Sequence, residues 1–417
     1  MSHFSIHKNS CKLYHLFYSR SSLAKKDVTH PTLEVAKAIN DFNLDLIKVI
    51  KSNGNVFYSP ASIAMAFAMV SAGAKGETRE QLLQTFQLNR LDNVNEAFGK
   101  LMSCLNPENR PENDKKSFEL DIANKILVEK SYPIEKDFTD TVKNVFKASV
   151  ENIDFKTKSG KVTDDINEWV KKQTHGKIDK VFGEPVPDET KLVIVNAIYF
   201  NGKWAEKVDP RNTKKDTFRG TKQESSVDFM FIESWIVSMK FGSNSRLLAL
   251  PYDGYASMVI LLPDDGVDLE ELVMKLDIQE LEDGIQNLFK KSECGGSEHG
   301  ENTMLYLPKF KLETEYDLIK IMKQLGVSDL FGESADLSGI SGKNDDDRLY
   351  VCDARHKALV EVDEEGTTAA AVTSMVMACC SFIPSRPLVI RVDRPFLFFI
   401  RDHSTNVNLF TGKIDQL

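Results

Sequence analysis

An uncharged stretch near the end of the chain constrains the fold more than any other feature. Residues 361–385 read EVDEEGTTAAAVTSMVMACCSFIPS, and four of the first six are acids. From Gly366 to Ser385 there is no charged residue and, before Pro384, no proline. Small and β-branched residues of this kind favour a β-strand. Because the run starts at an acidic cluster and a glycine, it is either a strand buried in a sheet or an exposed strand that can join one.

Size and composition are typical of a soluble globular protein. The chain has 417 residues, of which 41% are hydrophobic and 28% are charged, and this length allows one large domain or two ordinary ones. The net charge of −9 argues against general binding of nucleic acid or heparin. No apolar run approaches the roughly 20 residues that a membrane-spanning helix needs. We therefore expect no nucleic-acid partner and no membrane span.

The cysteines indicate free thiols. There are six of them, too few and too irregularly spaced for a disulfide framework, and no C-x-x-C motif suggests zinc. Free thiols are typical of a reducing compartment, and the chain has no N-x-S/T sequon. These features favour a cytoplasmic location, with export by an unconventional route as the alternative. We expect neither a metal nor another cofactor.

The N-terminal residues differ from the rest of the chain. Residues 1–26 contain no acid, several basic residues and many serines, without the continuous apolar core of a signal peptide. Their composition resembles a mitochondrial transit peptide, and a disordered tail or a misassigned start are the alternatives. Globular patterning begins near Val35, so we expect an N-terminal extension without fixed structure over residues 1–34 and a single domain over residues 35–417.

Hydrophobic periodicity predicts helices early in the chain and strands later. The helices are expected at 38–50, from Pro60, from Gly76, and at 135–146, 162–173 and 316–325. The strands are expected at 118–129, 192–200, within 227–262, and at 304–312, 349–362, 386–392, 395–402 and 408–414. The run Leu192–Phe200 is apolar and β-branched throughout, which predicts a central strand buried on both faces. This order of elements, without a repeat or a linker, favours one α+β domain.

The sequence lacks the common signatures of an enzyme. There is no G-x-S-x-G elbow, P-loop, dinucleotide fingerprint or H-E-x-x-H motif. His356 lies in a strand-like run, where a histidine is more often a satisfied core residue than a base. Cys379 and Cys380 have no histidine partner that the sequence suggests. We therefore expect no catalytic residues.

Seven motifs occur in order between Ala38 and Ile414. They are NVFYSPASI (55–63), AGAKGET (72–78), INEWV with THGKI (166–178), VNAIYFNGKW (195–204), LPKF (307–310), HKALVEVDEEGT (356–367) and RPFLFFI (394–400). Each is weak alone, but the ordered set is specific. With these motifs the chain resembles the serpins, and among them the intracellular, ovalbumin-like clade.

The resemblance implies a fold of three β-sheets, with a large central sheet A, and eight or nine helices. It also implies that residues 364–386, approximately, form an exposed reactive-centre loop. In serpins a target protease cleaves this loop and forms an acyl-enzyme, and the loop then inserts into sheet A as a new strand. The protease is carried along, distorted and trapped in a covalent 1:1 complex. The expected partner is therefore a target protease bound by a monomer.

The spacing of hinge residues in the serpin family implies where the hinge of this loop lies. Its residues would be Glu364, Gly366, Thr367, Ala369, Ala370 and Ala371. The resemblance implies that Thr367, Ala369, Ala371 and Thr373 turn inward after insertion. All four are small and uncharged, so insertion would bury no unpaired charge. Gly366 would supply backbone freedom, and Val372, where alanine is common, is expected to face solvent.

Counting seventeen residues from Glu364 places the reactive bond at Cys380–Ser381. A cysteine before the bond suits a chymotrypsin- or elastase-like serine protease, and papain-like cysteine proteases are an alternative target class. The segment that follows is longer than usual, which leaves cleavage after Phe382 as the second choice. The alternative function is a non-inhibitory serpin, namely a chaperone, carrier or storage protein. The small residues of the hinge favour inhibition.

Five further residues match structural positions of the family. Ser59, Ser62, Asn196 and His356 correspond to a polar cluster, the shutter, beneath the place where sheet A opens. Trp204 corresponds to an aromatic residue at the breach, where insertion begins. Plain packing would explain the same residues equally well.

Overall fold

A computed structural model describes residues 29–50, 54–106, 109, 118–293, 301–342, 347–366 and 387–417. Within them the α-helices are α1 (His30–Val49), α2 (Pro60–Gly73), α3 (Gly76–Thr85), α4 (Val94–Leu105), α5 (Lys136–Asn144), α6 (Phe155–Gln173), α7 (Leu269–Lys275), α8 (Ile278–Glu293) and α9 (Leu318–Gln324). No helix of these segments combines the length and apolarity needed to cross a membrane.

The strands in the same segments build three sheets. They are β1 (Val56–Tyr58), β2 (Phe118–Glu129), β3 (Ser149–Ile153), β4 (Leu192–Gly202), β5 (Lys214–Arg219), β6 (Glu224–Phe241), β7 (Ser245–Pro251), β8 (Ala256–Pro263), β9 (Glu301–Pro308), β10 (Phe310–Asp317), β11 (Asp353–Val362), β12 (Leu388–Arg391), β13 (Phe396–Asp402) and β14 (Asn408–Ile414).

One sheet has five strands in the order β10-β11-β4-β2-β3. In its centre β4 and β11 run parallel, with Asp353 opposite Val193 and Leu359 opposite Tyr199. The outer neighbours of this pair, β2 and β10, are antiparallel to it. We call the parallel β4–β11 contact the seam. A strand placed in the seam in the opposite direction would be antiparallel to both neighbours.

The remaining strands form a continuous nine-stranded arrangement that divides within the long strand β6. Its C-terminal part, from Val237 to Phe241, pairs with β7 in the sheet that continues through β8, β13 and β14 to β1. Its N-terminal part pairs with β5 and β9, and β12 completes that sheet. The predicted α+β class and three sheets are therefore confirmed.

The helix α2 lies inside the core. Thirteen of its fourteen residues are buried, in agreement with a sequence that is apolar nearly all round. Its start follows the predicted chemistry, because Ser59 caps the helix by accepting a hydrogen bond from the Ser62 amide, and Pro60 occupies the first turn. The helix thereby presents Ser59 and Ser62 beneath the five-stranded sheet.

Some elements differ from the expectations. The helix α1 begins at His30, inside the predicted N-terminal extension, and Thr32 is already buried. The predicted strand at 304–312 is two strands, because β9 ends at Pro308, which cannot donate a ladder hydrogen bond. Helices α4, α7 and α8 were not predicted. For α8 the signal was present, since the buried Leu281, Ile285 and Leu288 recur at helical spacing.

Candidate functional site

The C-terminal end of β11 turns back onto the end of β4. The Trp204 indole Nε1 donates to the Asp363 carbonyl oxygen at 2.8 Å, and its ring stacks on Tyr252 with centroids 4.6 Å apart. The Trp204 amide also donates to the Glu365 carbonyl oxygen at 3.3 Å. This buried tryptophan therefore holds the turn that follows β11. The turn lies where the C-terminal ends of β4 and β11 meet, which we call the upper end of the seam; the N-terminal ends of the two strands mark its lower end.

Gly366 makes the closest approach in this turn. It forms an antiparallel bridge with Lys203, one residue beyond β4. Its φ of +115° lies in the region that favours glycine, and an added Cβ would lie 2.3 Å from the Gly202 carbonyl oxygen. Both the conformation and the contact exclude a side chain, so glycine is required here.

Glu364 anchors the same turn to the neighbouring strands. Lys309 Nζ donates to its Oε2 at 2.6 Å, and Thr213 Oγ1 donates to its Oε1 at 2.7 Å. Burial alone would raise the pKa of this carboxyl, but the hydrogen bonds from Lys309 and Thr213 outweigh burial and lower its pKa. The carboxylate is therefore ionised at neutral pH, with both oxygens engaged.

A row of polar side chains crosses the five-stranded sheet halfway down the seam. Four adjacent strands each contribute one residue at the same level of the sheet: Asn124 on β2, Asn196 on β4, His356 on β11 and Tyr316 on β10. The Asn196 amide nitrogen donates to Asn124 Oδ1 and to the hydroxyl of Ser62 at 2.5 Å. We call these four residues the polar row.

The hydrogen bonds fix the protonation of His356. Its Nε2 accepts from the Ser59 amide at 3.0 Å, so the proton is on Nδ1, which donates to Asn196 Oδ1. Burial lowers the pKa of His356 to about 3, because the charged ring would lose its hydration. The Ser59 hydroxyl donates to the Leu409 carbonyl oxygen at 2.6 Å. The histidine is thus a neutral link across the seam.

The sequence-derived candidates that the structure describes occupy two places. Glu364, Gly366 and Trp204 meet at the upper end of the seam, and Ser59, Ser62, Asn196 and His356 meet at the polar row. The hinge residues Thr367, Ala369, Ala370 and Ala371, and the bond residues Cys380, Ser381 and Phe382, lie outside the described residues.

Sequence reasoning missed four partners, namely Thr213, Lys309, Asn124 and Tyr316. Lys309 stands inside the LPKF motif, and a lysine next to a strand-ending proline was the available signal. Nothing in the sequence singled out the other three.

In the described parts of the chain, no group of three or more His, Cys, Asp or Glu residues is placed to hold a metal ion.

Comparisons with known proteins agree with this geometry. A family model described as Serpin (serine protease inhibitor) matches residues 37–417. Iripin-8 of Ixodes ricinus is 36% identical over 407 residues, covering 95% of this chain and 97% of that protein. The leukocyte elastase inhibitor of Homo sapiens is 37% identical over 395 residues, covering 92% and 99%. The native-state crystal structure of a thermophilic serpin, tengpin, matches with a TM-score of 0.80 at 28% identity, covering 94% of this chain and 95% of that one.

Proposed function

Because the chain belongs to the serpin family, we propose that it inhibits its target protease as a suicide substrate. The protease cleaves the loop after β11, remains bound as an acyl-enzyme, and is carried along as the loop enters the seam. The product is a covalent 1:1 complex with an inactive protease. Its role is that of an inhibitor, in line with relatives named as protease inhibitors.

The observation that carries the proposal is the bridge between Gly366 and Lys203. It is antiparallel and stands at the upper end of two parallel strands. It therefore has the direction that a strand inserted into the seam requires. If the pairing continued by one residue at a time, Ala369 would lie opposite Phe200 and Ala371 opposite Ile198.

The same register supports the hinge assignment. Ile198 and Phe200 face the main core of the molecule, and directly opposed residues of an antiparallel pair point to the same face. Ala369, Ala371 and Thr373 would thus enter the core side. Thr373 would lie between Asn196 on β4 and His356 on β11. Insertion separates these two residues, so each of them needs a new hydrogen-bonding partner there.

The proposed target is a serine protease of the elastase or chymotrypsin type, which cleaves this chain after Cys380. Two features support this choice: the small cysteine before the bond, and the likeness to a leukocyte elastase inhibitor. The protein is proposed to act as a cytoplasmic monomer. Fractionation of cells and size-exclusion chromatography of the purified chain test these two points.

Incubation with a panel of serine and cysteine proteases tests the function. We expect an SDS-stable complex with an elastase- or chymotrypsin-like enzyme, and mass spectrometry should find a released C-terminal fragment that begins at Ser381. A fragment that begins at Ile383 would move the bond to the second choice, after Phe382. Cleavage without any stable complex, and without a rise in melting temperature, would instead favour a non-inhibitory chaperone, carrier or storage role.

A further inference from the structure

The lower end of the seam carries contacts that the proposed function does not use. Just before β11 begins, the Cys352 amide donates to the carbonyl oxygen of Leu192, the first residue of β4, at 2.9 Å. The Lys191 amide donates to the Cys352 sulfur at 3.3 Å. The two strands are therefore tied together below their last register pair.

The side chain of Lys191 reinforces this connection. Its Nζ donates to Asp347 Oδ1 at 2.5 Å and to the Arg348 carbonyl oxygen at 2.9 Å. It also lies 4.7 Å from the centroid of the Tyr350 ring and 5.7 Å from that of Tyr132. Cations are attracted to aromatic faces at these distances. A lysine that precedes β4 is thus held by the segment that leads into β11.

The ammonium of Lys191 keeps its charge in this place. Burial alone would lower its pKa, but hydrogen bonds with Asp347 and Tyr132 outweigh burial and raise the pKa. The side chain is 21% exposed, so its interactions are only partly screened by water. Both the ion pair and the ring contacts therefore contribute while the seam is closed.

We propose that Lys191 restrains loop insertion. With Asp347, Tyr350 and Tyr132 it forms what we call the base clasp, which holds the lower end of the seam closed and must open before insertion is complete. This inference rests on the proposed inhibitory function, since it concerns the same movement of β4 away from β11.

The geometry places the base clasp across the path of the loop. Adjacent strands lie about 4.8 Å apart, so an inserted strand would double the separation of β4 and β11. Tyr132 follows β2 on the β4 side, whereas Tyr350 precedes β11 on the other side. Lys191 cannot keep both contacts across the wider gap.

The register also sets the order of events. Continuing the pairing of Gly366 with Lys203 brings residue 378 opposite Lys191. Cleavage after Cys380 would therefore bring the loop to the base clasp only in the last steps of insertion. The upper end and the polar row would already have opened by then.

The test compares two lysines at the base of the sheet. Lys191→Met removes the base clasp. Lys130→Met is the matched control, because Lys130 pairs with Asp154 at 2.6 Å and joins β2 to the start of α6 without crossing the seam. The probe is a synthetic peptide with the sequence of residues 366–380, annealed to the uncleaved protein under reducing conditions. Incorporation is followed by native gel electrophoresis and by the rise in melting temperature.

We expect Lys191→Met to take up the peptide about tenfold faster than the unmodified protein, a difference of about 1.4 kcal/mol in the barrier. Lys130→Met should match the unmodified protein. After loop cleavage, all three proteins should melt at the same temperature, because the base clasp is already open. Asp347→Asn changes a half-exposed side chain and should accelerate peptide uptake less than Lys191→Met does. It tests the same contact if Lys191→Met folds poorly.

Two results would overturn the base clasp while leaving inhibition intact. One is equal peptide uptake by the Lys191, Asp347 and Lys130 variants. The other is that Lys191→Met lowers the melting temperature of the cleaved protein by as much as that of the uncleaved protein. That result would show that Lys191 stabilises the fold in both states and does not act on insertion. If the unmodified protein forms no protease complex and gains no stability on cleavage, the proposed function fails, and the base clasp fails with it.

Discussion

Strand β11 has two neighbours, and the chemistry on its two sides differs. Toward β10 the pairing is antiparallel and carries ion pairs on the outer face: Lys311–Glu361 at 3.7 Å, Lys357–Glu313 at 3.0 Å and Arg355–Glu315 at 3.6 Å. Toward β4 the pairing is parallel, and β4 has no charged residue with which to form an ion pair. We call the ion-paired side the charge ladder.

The difference indicates which contact gives way when the sheet opens. A parallel pair is slightly less stable per residue than an antiparallel one. The charge ladder adds ion pairs between the strands themselves, whereas the Lys191–Asp347 pair of the seam lies below β4 and β11. We therefore expect β11 to remain with β10 and to separate from β4, and the following predictions test this asymmetry.

The largest effect is expected from a charge on the inward side of the hinge. Ala369→Arg would bring a guanidinium opposite the fully buried Phe200 if the loop entered the seam. Burial of an unpaired ion costs several kcal/mol, so insertion should stall and the protein should become an ordinary substrate. The measurement is the ratio of SDS-stable complex to cleaved inhibitor after reaction with the target protease.

Thr368→Arg is the matched control. In the same register it would lie opposite the partly exposed Asn201, on the other face of the sheet. It should retain most of the complex. Equal loss in both variants would contradict the register, and normal complex formation by Ala369→Arg would contradict insertion into the seam.

The fold was more predictable from the sequence than the contacts across the seam. The apolar run of β4 identifies a central strand by itself, because period and composition are local properties. The pairing of Asn196 with His356 joins residues 160 apart in the chain, and register is set by global packing and turn geometry. Likewise, Glu364 was singled out by a motif, but its partner Lys309 became evident only when β9 and β10 were in place.

The second effect concerns the pH dependence of stability. The pKa of His356 is about 3 in the folded protein and has a reference value of 6.5. The unfolded chain therefore binds one more proton between these values, and stability should fall as the pH drops through that window. From about pH 7.5 to about pH 5 the loss from this residue should be about 2 kcal/mol.

Urea midpoints across this pH range measure the effect. The part that belongs to His356 is the difference between the unmodified protein and His356→Asn, which cannot take up a proton in either state. The variant should be less stable at neutral pH and should lose less on acidification. Parallel pH profiles for the two proteins would show that the polar row does not disfavour the charged histidine.

A smaller effect is expected at the upper end of the seam. Glu364→Gln removes the charge that pairs with Lys309, whose side chain is 34% exposed. Hydrogen bonds to charged groups contribute about 1.5–3 kcal/mol, and partial exposure reduces this to about 1–2 kcal/mol. The variant should lower the urea midpoint and open the seam more readily to the loop peptide. Thr213→Val, which leaves the ion pair intact, should have a weaker effect on both.

The smallest effect is expected from the charge ladder. Glu313→Gln together with Glu315→Gln removes both carboxylates that pair with Lys357 and one of the two that pair with Arg355. Both glutamates are nearly half exposed, and such pairs contribute about 0.2–1 kcal/mol each. The double variant should lower the urea midpoint slightly and leave the ratio of complex to cleaved inhibitor unchanged, because β10 and β11 are not expected to separate. A marked change in that ratio, without a matching loss of stability, would mean that the contact between β10 and β11 also opens during insertion.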